Sequence, residues 1–148
     1  MSAVDPRTGE ISEEETALVP LNISGLNEDE ILQLLPTPRQ VAGAMLIARE
    51  RLAKAPAALD TLSGELKKAK RDLIVARALA FSRYRSEGWS LGDARALVDS
   101  DEKVSAAREA ADDAELRLEY GRELRKTLDK DIDLLRSLNA NYRAEHGS

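Results

Sequence analysis

The chain has 148 residues, which is enough for one domain of ordinary size. Charged residues make up 33% of the sequence and aromatic residues only 3%, a composition typical of long helices and coiled coils. The absence of cysteine excludes disulfides and thiolate chemistry. No apolar run approaches the roughly 18 residues of a membrane span, and no signal peptide is recognisable, so we expect a cytoplasmic protein without a membrane partner.

The net charge of −5 is unevenly distributed along the chain. Residues 1–37 carry eight acidic side chains and one basic side chain. Residues 38–87 carry eleven basic and five acidic side chains, whereas residues 88–148 carry ten basic and fourteen acidic ones. The basic segment therefore lies between two acidic segments, and the opposite charges favour contact of the basic segment with either of them.

The N-terminal segment lacks any sustained hydrophobic period, and we predict a disordered acidic lead over residues 1–26. Asn27 and Glu30 suit a capping box ahead of a short apolar run. This pattern predicts a short helix within residues 27–36, which Pro36 ends.

A long first arm is predicted over residues 38–86. Thr37 suits the N-cap, Pro38 the first helical position and Gln40 the third position of a capping box. Apolar or small residues then recur at alternating spacings of four and three, as in a coiled-coil seam. The series is Val41, Met45, Ala48, Leu52, Ala55, Leu59, Leu62, Leu66, Ala69, Leu73, Ala76 and Ala80. Pro56 should kink this arm or break it.

A second arm is predicted over residues 91–145, after a turn at 86–90. Ser90 and Asp93 suit its start, and Asp101 offers a place where the helix could be capped again. The seam continues with the same alternating spacings. Its members are Leu97, Ser100, Val104, Ala107, Ala111, Ala114, Leu118, Gly121, Arg125, Leu128, Ile132, Leu135, Asn139 and Tyr142.

The two arms have similar lengths, about 74 Å and about 82 Å at 1.5 Å per residue. Two arms of matching length joined by a short turn should fold back on each other. We therefore predict an all-α fold, in which residues 37–148 form a long antiparallel two-helix hairpin or coiled coil. In this arrangement Leu66 faces Ala111.

Several apolar residues lie off the seam, where a two-helix hairpin cannot bury them by itself. They could pack under the short helix, widen the hairpin interface, or form a surface for other proteins. We favour self-association as a dimer together with an unidentified protein partner, because a bare hairpin has a thin core. Trp89 could instead cap the open end of the seam. The candidate residues are Ile74, Phe81, Trp89, Leu116, Tyr120, Leu124, Leu134 and Leu138.

The densest basic cluster lies in the first arm, and such a helical face could neutralise nucleic-acid phosphates. We favour a solvated face offset by the acidic arm, because the net charge is negative and few aromatics interleave. Nucleic-acid binding is kept as the alternative. Its candidate residues are Lys67, Lys68, Lys70, Arg71 and Arg77.

No catalytic, cofactor or metal signature is recognisable. His146 is the sole histidine, and the acids at 129, 131 and 133 have a spacing that spreads them around a helix. No phosphate-binding glycine loop or activated-nucleophile motif occurs. We expect a non-enzyme without cofactors.

Four segments carry a resemblance to a known group of proteins. They are Ala76-Arg77-Ala78-Leu79-Ala80, Glu87-Gly88, Asp93-Ala94-Arg95-Ala96 and Ile132-Asp133-Leu134-Leu135-Arg136-Ser137-Leu138. Over residues 67–145 the chain resembles small helical-hairpin proteins of uncharacterised role that are encoded by tailed bacteriophages of actinobacterial hosts. The resemblance implies a phage accessory protein acting in the bacterial cytoplasm, and it brings no catalytic residues. A structural coiled-coil spacer is a further alternative.

Overall fold

The computed structural model describes residues 3–4, 11–12 and 22–145 of the chain. The elements are β1 (Ala3–Val4), β2 (Ile11–Ser12), α1 (Glu28–Leu34), α2 (Pro38–Ser86), α3 (Leu91–Ser100) and α4 (Glu102–Glu145). The prediction of an all-α chain is confirmed, because helices make up nearly all of the described residues. The two short strands form a single antiparallel pair with Val4 opposite Ile11.

The predicted disordered lead falls mostly on residues outside the described ranges. Two described parts of it are ordered: the β1–β2 pair, and residues 22–26, where Ile23 is buried. Ile23 shares a core with residues of α2 and α4, and burial of this apolar side chain holds its segment in place. The prediction of disorder over 1–26 is therefore wrong for these residues.

The predicted capping residues of α1 and α2 form the bonds that their sequence pattern requires. The Glu30 N–H donates to Asn27 Oδ1 over 2.8 Å at the start of α1. At the start of α2, the Thr37 N–H donates to Gln40 Oε1 over 3.1 Å, and the Gln40 N–H donates to Thr37 Oγ1 over 3.3 Å. These bonds satisfy N–H groups that have no partner within the helix.

Helix α2 runs for 49 residues with Pro56 inside it. The proline therefore does not break the predicted first arm, although it lacks the N–H that would bond to the preceding turn. Packing on both sides of this position, at Ala55 and Ala58, keeps the helix intact, since both side chains are buried.

Helix α2 ends in a Schellman motif centred on Gly88. The Gly88 N–H donates to the Arg85 carbonyl over 3.1 Å, and the Trp89 N–H donates to the Tyr84 carbonyl over 3.2 Å. Gly88 has a φ of 98°, a conformation that glycine adopts without the steric cost met by other residues. This motif is the physical basis of the break between the arms.

The second arm, predicted over 91–145 with Asp101 as a place for a new cap, consists of two helices. Helix α3 ends at Ser100, and Asp101 adopts an extended conformation with φ −64° and ψ 135°. Its Oδ2 accepts the N–H groups of Lys103 (3.1 Å) and Val104 (3.3 Å), so Asp101 is the N-cap of α4.

The chain divides into two compact units, Met1–Leu59 with Gly121–Ser148 and Asp60–Tyr120. The core of the first unit joins the segment before α1, α1 itself, the start of α2 and the end of α4. Its buried members are Ile23, Ile31, Val41, Met45, Ala48, Leu128, Ile132, Leu135 and Leu138.

The second unit has a smaller core, which joins α2, α3 and the start of α4. Its buried members are Ala80, Val98 and Val104, and the partly buried residues packed against them are Leu73, Ala76, Phe81 and Tyr84. Small side chains predominate, and this leaves the larger off-seam residues of the unit outside the core.

Candidate interaction surface

Helix α2 exposes large apolar side chains on the face opposite its buried seam. Ile74 is 69% exposed, and Val75 and Leu79 are exposed as well. Ala76 and Ala80, which pack in the core of this unit, lie on a different side of the helix from Ile74. A monomeric helical unit gains nothing from exposing such residues together, so this face is a candidate interaction surface.

The five predicted nucleic-acid-binding residues lie on or beside this face. All of them are exposed, and within the described part of the chain none forms an ion pair. They are Lys67, Lys68, Lys70, Arg71 and Arg77. The surface is therefore apolar and basic at once.

Helix α4 has a comparable exposed face with the opposite charge. Leu116 is 62% exposed and Tyr120 is 67% exposed. Both point away from the buried side of the helix, where Ala114 and Leu118 lie. The neighbouring exposed acids are Glu109, Asp112, Asp113 and Glu119.

Four of the predicted surface residues are partly or fully covered. Leu138 is only 6% exposed and belongs to the core of the first unit, against which Leu134 also packs. Residues of α1 and of the segment before it share that core. Phe81 packs against the core of the second unit, and Leu124 is half-buried. Leu138 is therefore buried in the core, and for the partly exposed Leu134, Phe81 and Leu124 a partner surface stays a prediction.

Trp89 is 46% exposed, so it does not plug the end of a seam as a buried side chain would. Its backbone is held firmly, because the Arg85 Nη1 donates to the Trp89 carbonyl over 2.9 Å in addition to the Schellman bond. The indole remains available to solvent at the turn.

Asp101 joins α2 to the start of α4. The Arg83 guanidinium forms a short ion pair with Asp101 Oδ1, and the Tyr84 Oη donates to the same oxygen over 3.0 Å. The Arg83 guanidinium also lies over the Tyr84 ring, 5.0 Å from its centroid. Asp101 therefore caps one helix and binds two side chains of another.

The ionisation of Asp101 reflects two opposing effects. Burial alone would raise the pKa of this carboxyl, but hydrogen bonds from Tyr84, the Val104 N–H and Arg83 outweigh it and lower the pKa. The pKa of Arg83 is raised by its interactions with Tyr84 and Asp101. The site holds a stable charge pair, which suits a structural role.

Asp131 is a second buried carboxylate, with no exposed surface. Its Oδ2 accepts the Asn22 N–H over 2.9 Å and its Oδ1 accepts the Ser24 N–H over 3.0 Å. Asn22 adopts a positive φ of 60°, which places both N–H groups on one carboxylate. Asp131 thereby ties the segment before α1 to α4.

A groove of about 240 Å³ adjoins the exposed face of α2 in the second unit. Four of its lining residues are apolar, and the other four carry charges of both signs. The lining residues are Asp72, Val75, Ala76, Leu79, Ala80, Arg83, Asp101 and Lys103. Two of its charged residues, Arg83 and Asp101, pair with each other, and the rest of the lining offers mainly apolar contact.

The sequence interpretation missed four residues that the structure makes important. Val75 and Leu79 lie off the seam, and counting every off-seam apolar residue would have found them. Asp101 was recognised only as a place where a helix could be capped again. No local sequence pattern points to the role of Asp131, because its partners lie more than 100 residues away in sequence.

The described residues contain no group of three or more His, Cys, Asp or Glu side chains arranged to hold a metal ion. None of the described helices combines the length and apolarity needed to cross a bilayer. No family model, curated protein or solved structure matches this chain.

Proposed function

We propose that this chain is a non-enzymatic helical interaction protein that self-associates through the outward faces of α2 and α4. One observation carries the proposal: Ile74, Leu116 and Tyr120 are each more than 60% exposed, on faces of opposite charge. Exposed apolar groups of this kind characterise protein–protein surfaces. Binding of a further protein partner would use the same faces.

The proposal includes a long antiparallel hairpin of α2 and α4. Two contacts support it in the second unit: Arg83 pairs with Asp101, and Glu65 Oε2 lies 3.5 Å from Arg117 Nη1. Later residues of α2 thus meet earlier residues of α4, as antiparallel packing requires. The connection between the long helices is then the Gly88 turn together with α3.

Sedimentation equilibrium of the full chain tests self-association directly. We expect a weight-average mass that rises with protein concentration in the micromolar range, and a smaller rise for Tyr120→Asp. Leu46→Asp is the matched control, because Leu46 is equally exposed at 68% but lies in the first unit. A chain that stays monomeric at all these concentrations contradicts the proposal.

Nucleic-acid binding is the second candidate. It is favoured because no ion pair among the described residues involves Lys67, Lys68, Lys70, Arg71 or Arg77. Phosphate binding should weaken steeply with salt. A variant with Lys67, Lys68, Lys70 and Arg71 changed to Glu should lose binding to DNA. The control changes Arg122, Arg125, Lys126 and Lys130 to Glu, which alters the net charge equally. Equal DNA binding by both variants excludes the cluster.

A role as a phage accessory protein, which is the expectation from the resemblance over residues 67–145, is kept as part of the proposal. The spacer alternative differs in where the chain is found. A structural spacer copurifies with phage particles, whereas an accessory factor remains in the infected cell.

A further inference from the structure

The exposed faces of α2 and α4 contain matching stripes. On α2, Lys67, Arg71, Ile74 and Ala78 follow one another at spacings of four, three and four residues. On α4 the same spacings connect Glu109, Asp113, Leu116 and Tyr120. At about 100° per residue such a series stays on one side of a helix, as a coiled-coil seam does. All eight side chains are exposed.

The two stripes also match in chemistry. Each begins with two charged residues and continues with two residues suited to apolar contact. Laid parallel, Lys67 would meet Glu109 and Arg71 would meet Asp113, while Ile74 would meet Leu116. Ala78 would leave room for the Tyr120 ring. Laid antiparallel, charged residues would meet apolar ones, which would leave charges desolvated without partners.

Contacts between identical stripes are disfavoured by charge. Laid parallel, two α2 stripes would oppose Lys67 and Arg71 to the same residues of another copy, and two α4 stripes would oppose Glu109 and Asp113 in the same way. Like charges at an interface select against that pairing. Laid antiparallel, identical stripes would set their charged residues against apolar ones. The α2 stripe therefore fits the α4 stripe of a different copy.

The stripes lie on opposite sides of the helix pair in the second unit. Val104 and Ala111 are buried on the inner side of α4, and Ala76 and Ala80 pack on the inner side of α2. Each stripe faces away from this shared core. When one copy binds through its α2 stripe, its α4 stripe is still free for another copy. Such heterologous contacts generate rings or open filaments and do not close in pairs.

We propose that copies of this chain associate head to tail, the α2 stripe of one copy packing in parallel on the α4 stripe of the next. This inference rests on the proposed self-association and specifies its interface. It also replaces the dimer expected from the sequence with a row of successive copies, which stops growing only when it closes into a ring. The occupant of each stripe is a second copy of the same chain.

Two single substitutions test the proposal, each of which blocks one stripe. Ile74→Asp should disable the α2 stripe and Leu116→Asp the α4 stripe, because an aspartate at either place would be buried against an apolar partner. Each variant alone should be monomeric in sedimentation velocity. An equimolar mixture should form dimers and nothing larger, because the one intact stripe of each variant meets the intact stripe of the other.

The outcomes separate this inference from the proposed function. Dimers or larger species formed by either variant alone would overturn head-to-tail pairing while leaving self-association in place, as would a mixture that stays monomeric. A monomeric wild-type chain would refute the proposed function itself. Circular dichroism checks that both variants keep their helices.

A charge exchange gives a second, independent test. Lys67→Glu with Arg71→Glu should abolish association, and so should Glu109→Lys with Asp113→Lys. Combining all four substitutions should restore association to nearly the wild-type level, because the charges of the two stripes are exchanged. Failure of the fourfold variant to recover would overturn the parallel register.

Discussion

At the level of single residues, two buried carboxylates connect parts of the chain that are distant in sequence. Asp101 binds two side chains of α2, and Asp131 binds two backbone N–H groups near α1. A buried carboxylate is stable only when such partners replace its lost hydration. Both residues should therefore be sensitive to substitution.

Asp101→Asn should lower the midpoint of thermal unfolding at neutral pH, because the amide carries no charge to pair with Arg83. The folded state lowers the pKa of Asp101, so its stabilising contribution is complete above the pKa of the unfolded chain. That contribution disappears as the pH falls from about 3.9 through the lower folded-state pKa. Thermal melts across this acid range should therefore converge for wild type and variant.

The control for Asp101 is Asp99→Asn. Asp99 pairs with Arg108 over 3.4 Å, but its side chain is 72% exposed, and exposed pairs contribute little. We expect the Asp99→Asn variant to have nearly the same thermal unfolding midpoint as the wild-type chain at every pH. An effect of Asp99→Asn as large as that of Asp101→Asn would contradict this prediction. It would show that the net charge of the protein, and not the buried ion pair, determines how the unfolding midpoint changes at acid pH.

Asp131→Ala should lower the free energy of unfolding by about 2 kcal/mol, because two N–H groups lose a charged acceptor. Urea denaturation measures this change, and hydrogen exchange at Asn22 and Ser24 should accelerate. Asp129→Ala is the control, since Asp129 is exposed two residues away. Unchanged exchange at both amides would contradict the role of Asp131 as a tether.

At the level of helices, the uninterrupted course of α2 through Pro56 implies an internal cost. Proline inside a helix is about 3 kcal/mol less favourable than alanine. Pro56→Ala should therefore raise the free energy of unfolding by about 2 kcal/mol in urea denaturation, after allowance for relaxation of the helix. Pro38→Ala should have almost no effect, because proline is well suited to the first helical turn. Destabilisation by Pro56→Ala would mean that the proline shapes a required bend.

Local chemistry predicted the helix starts well but predicted the breaks less well. The capping bonds at Asn27, Thr37 and Ser90 involve residues within one turn, so the sequence displays them. The break at Asp101 depends on Arg83 and Tyr84, which belong to a different helix. Adjacent Asp and Ser residues offer several equivalent caps, and only tertiary contacts select one of them.

The candidate surface was also predictable only where it depends on local sequence, and not where distant segments cover a side chain. Ile74, Leu116 and Tyr120 lie off the seam and are exposed. Phe81 also lies off the seam, but α3 is a separate helix whose Val98 shares the core against which Phe81 packs. Leu138 belongs to a core that also contains Ile23 and Ile31, which are distant from it in sequence. The burial of Phe81 and Leu138 depends on distant segments that a pattern along one helix cannot reveal.

At the level of the whole molecule, the charge pattern implies that association depends on ionic strength. The opposed stripes attract at low salt, and this attraction is screened as the Debye length falls to about 3 Å near 1 M salt. The dissociation constant measured by sedimentation should therefore rise with added sodium chloride. Contacts of Ile74, Leu116 and Tyr120 are apolar and should persist. A dissociation constant that is independent of salt would contradict a charge-selected interface.

The exposed indole at the turn has a spectroscopic consequence. Trp89 is the only tryptophan in the chain, so selectively excited emission reports on this one turn, whose backbone the Gly88 motif fixes. Circular dichroism, in contrast, averages over every helix. If the two units melt separately, fluorescence and ellipticity will follow different transitions. A single native chromophore thus makes the cooperativity of the chain measurable without a label.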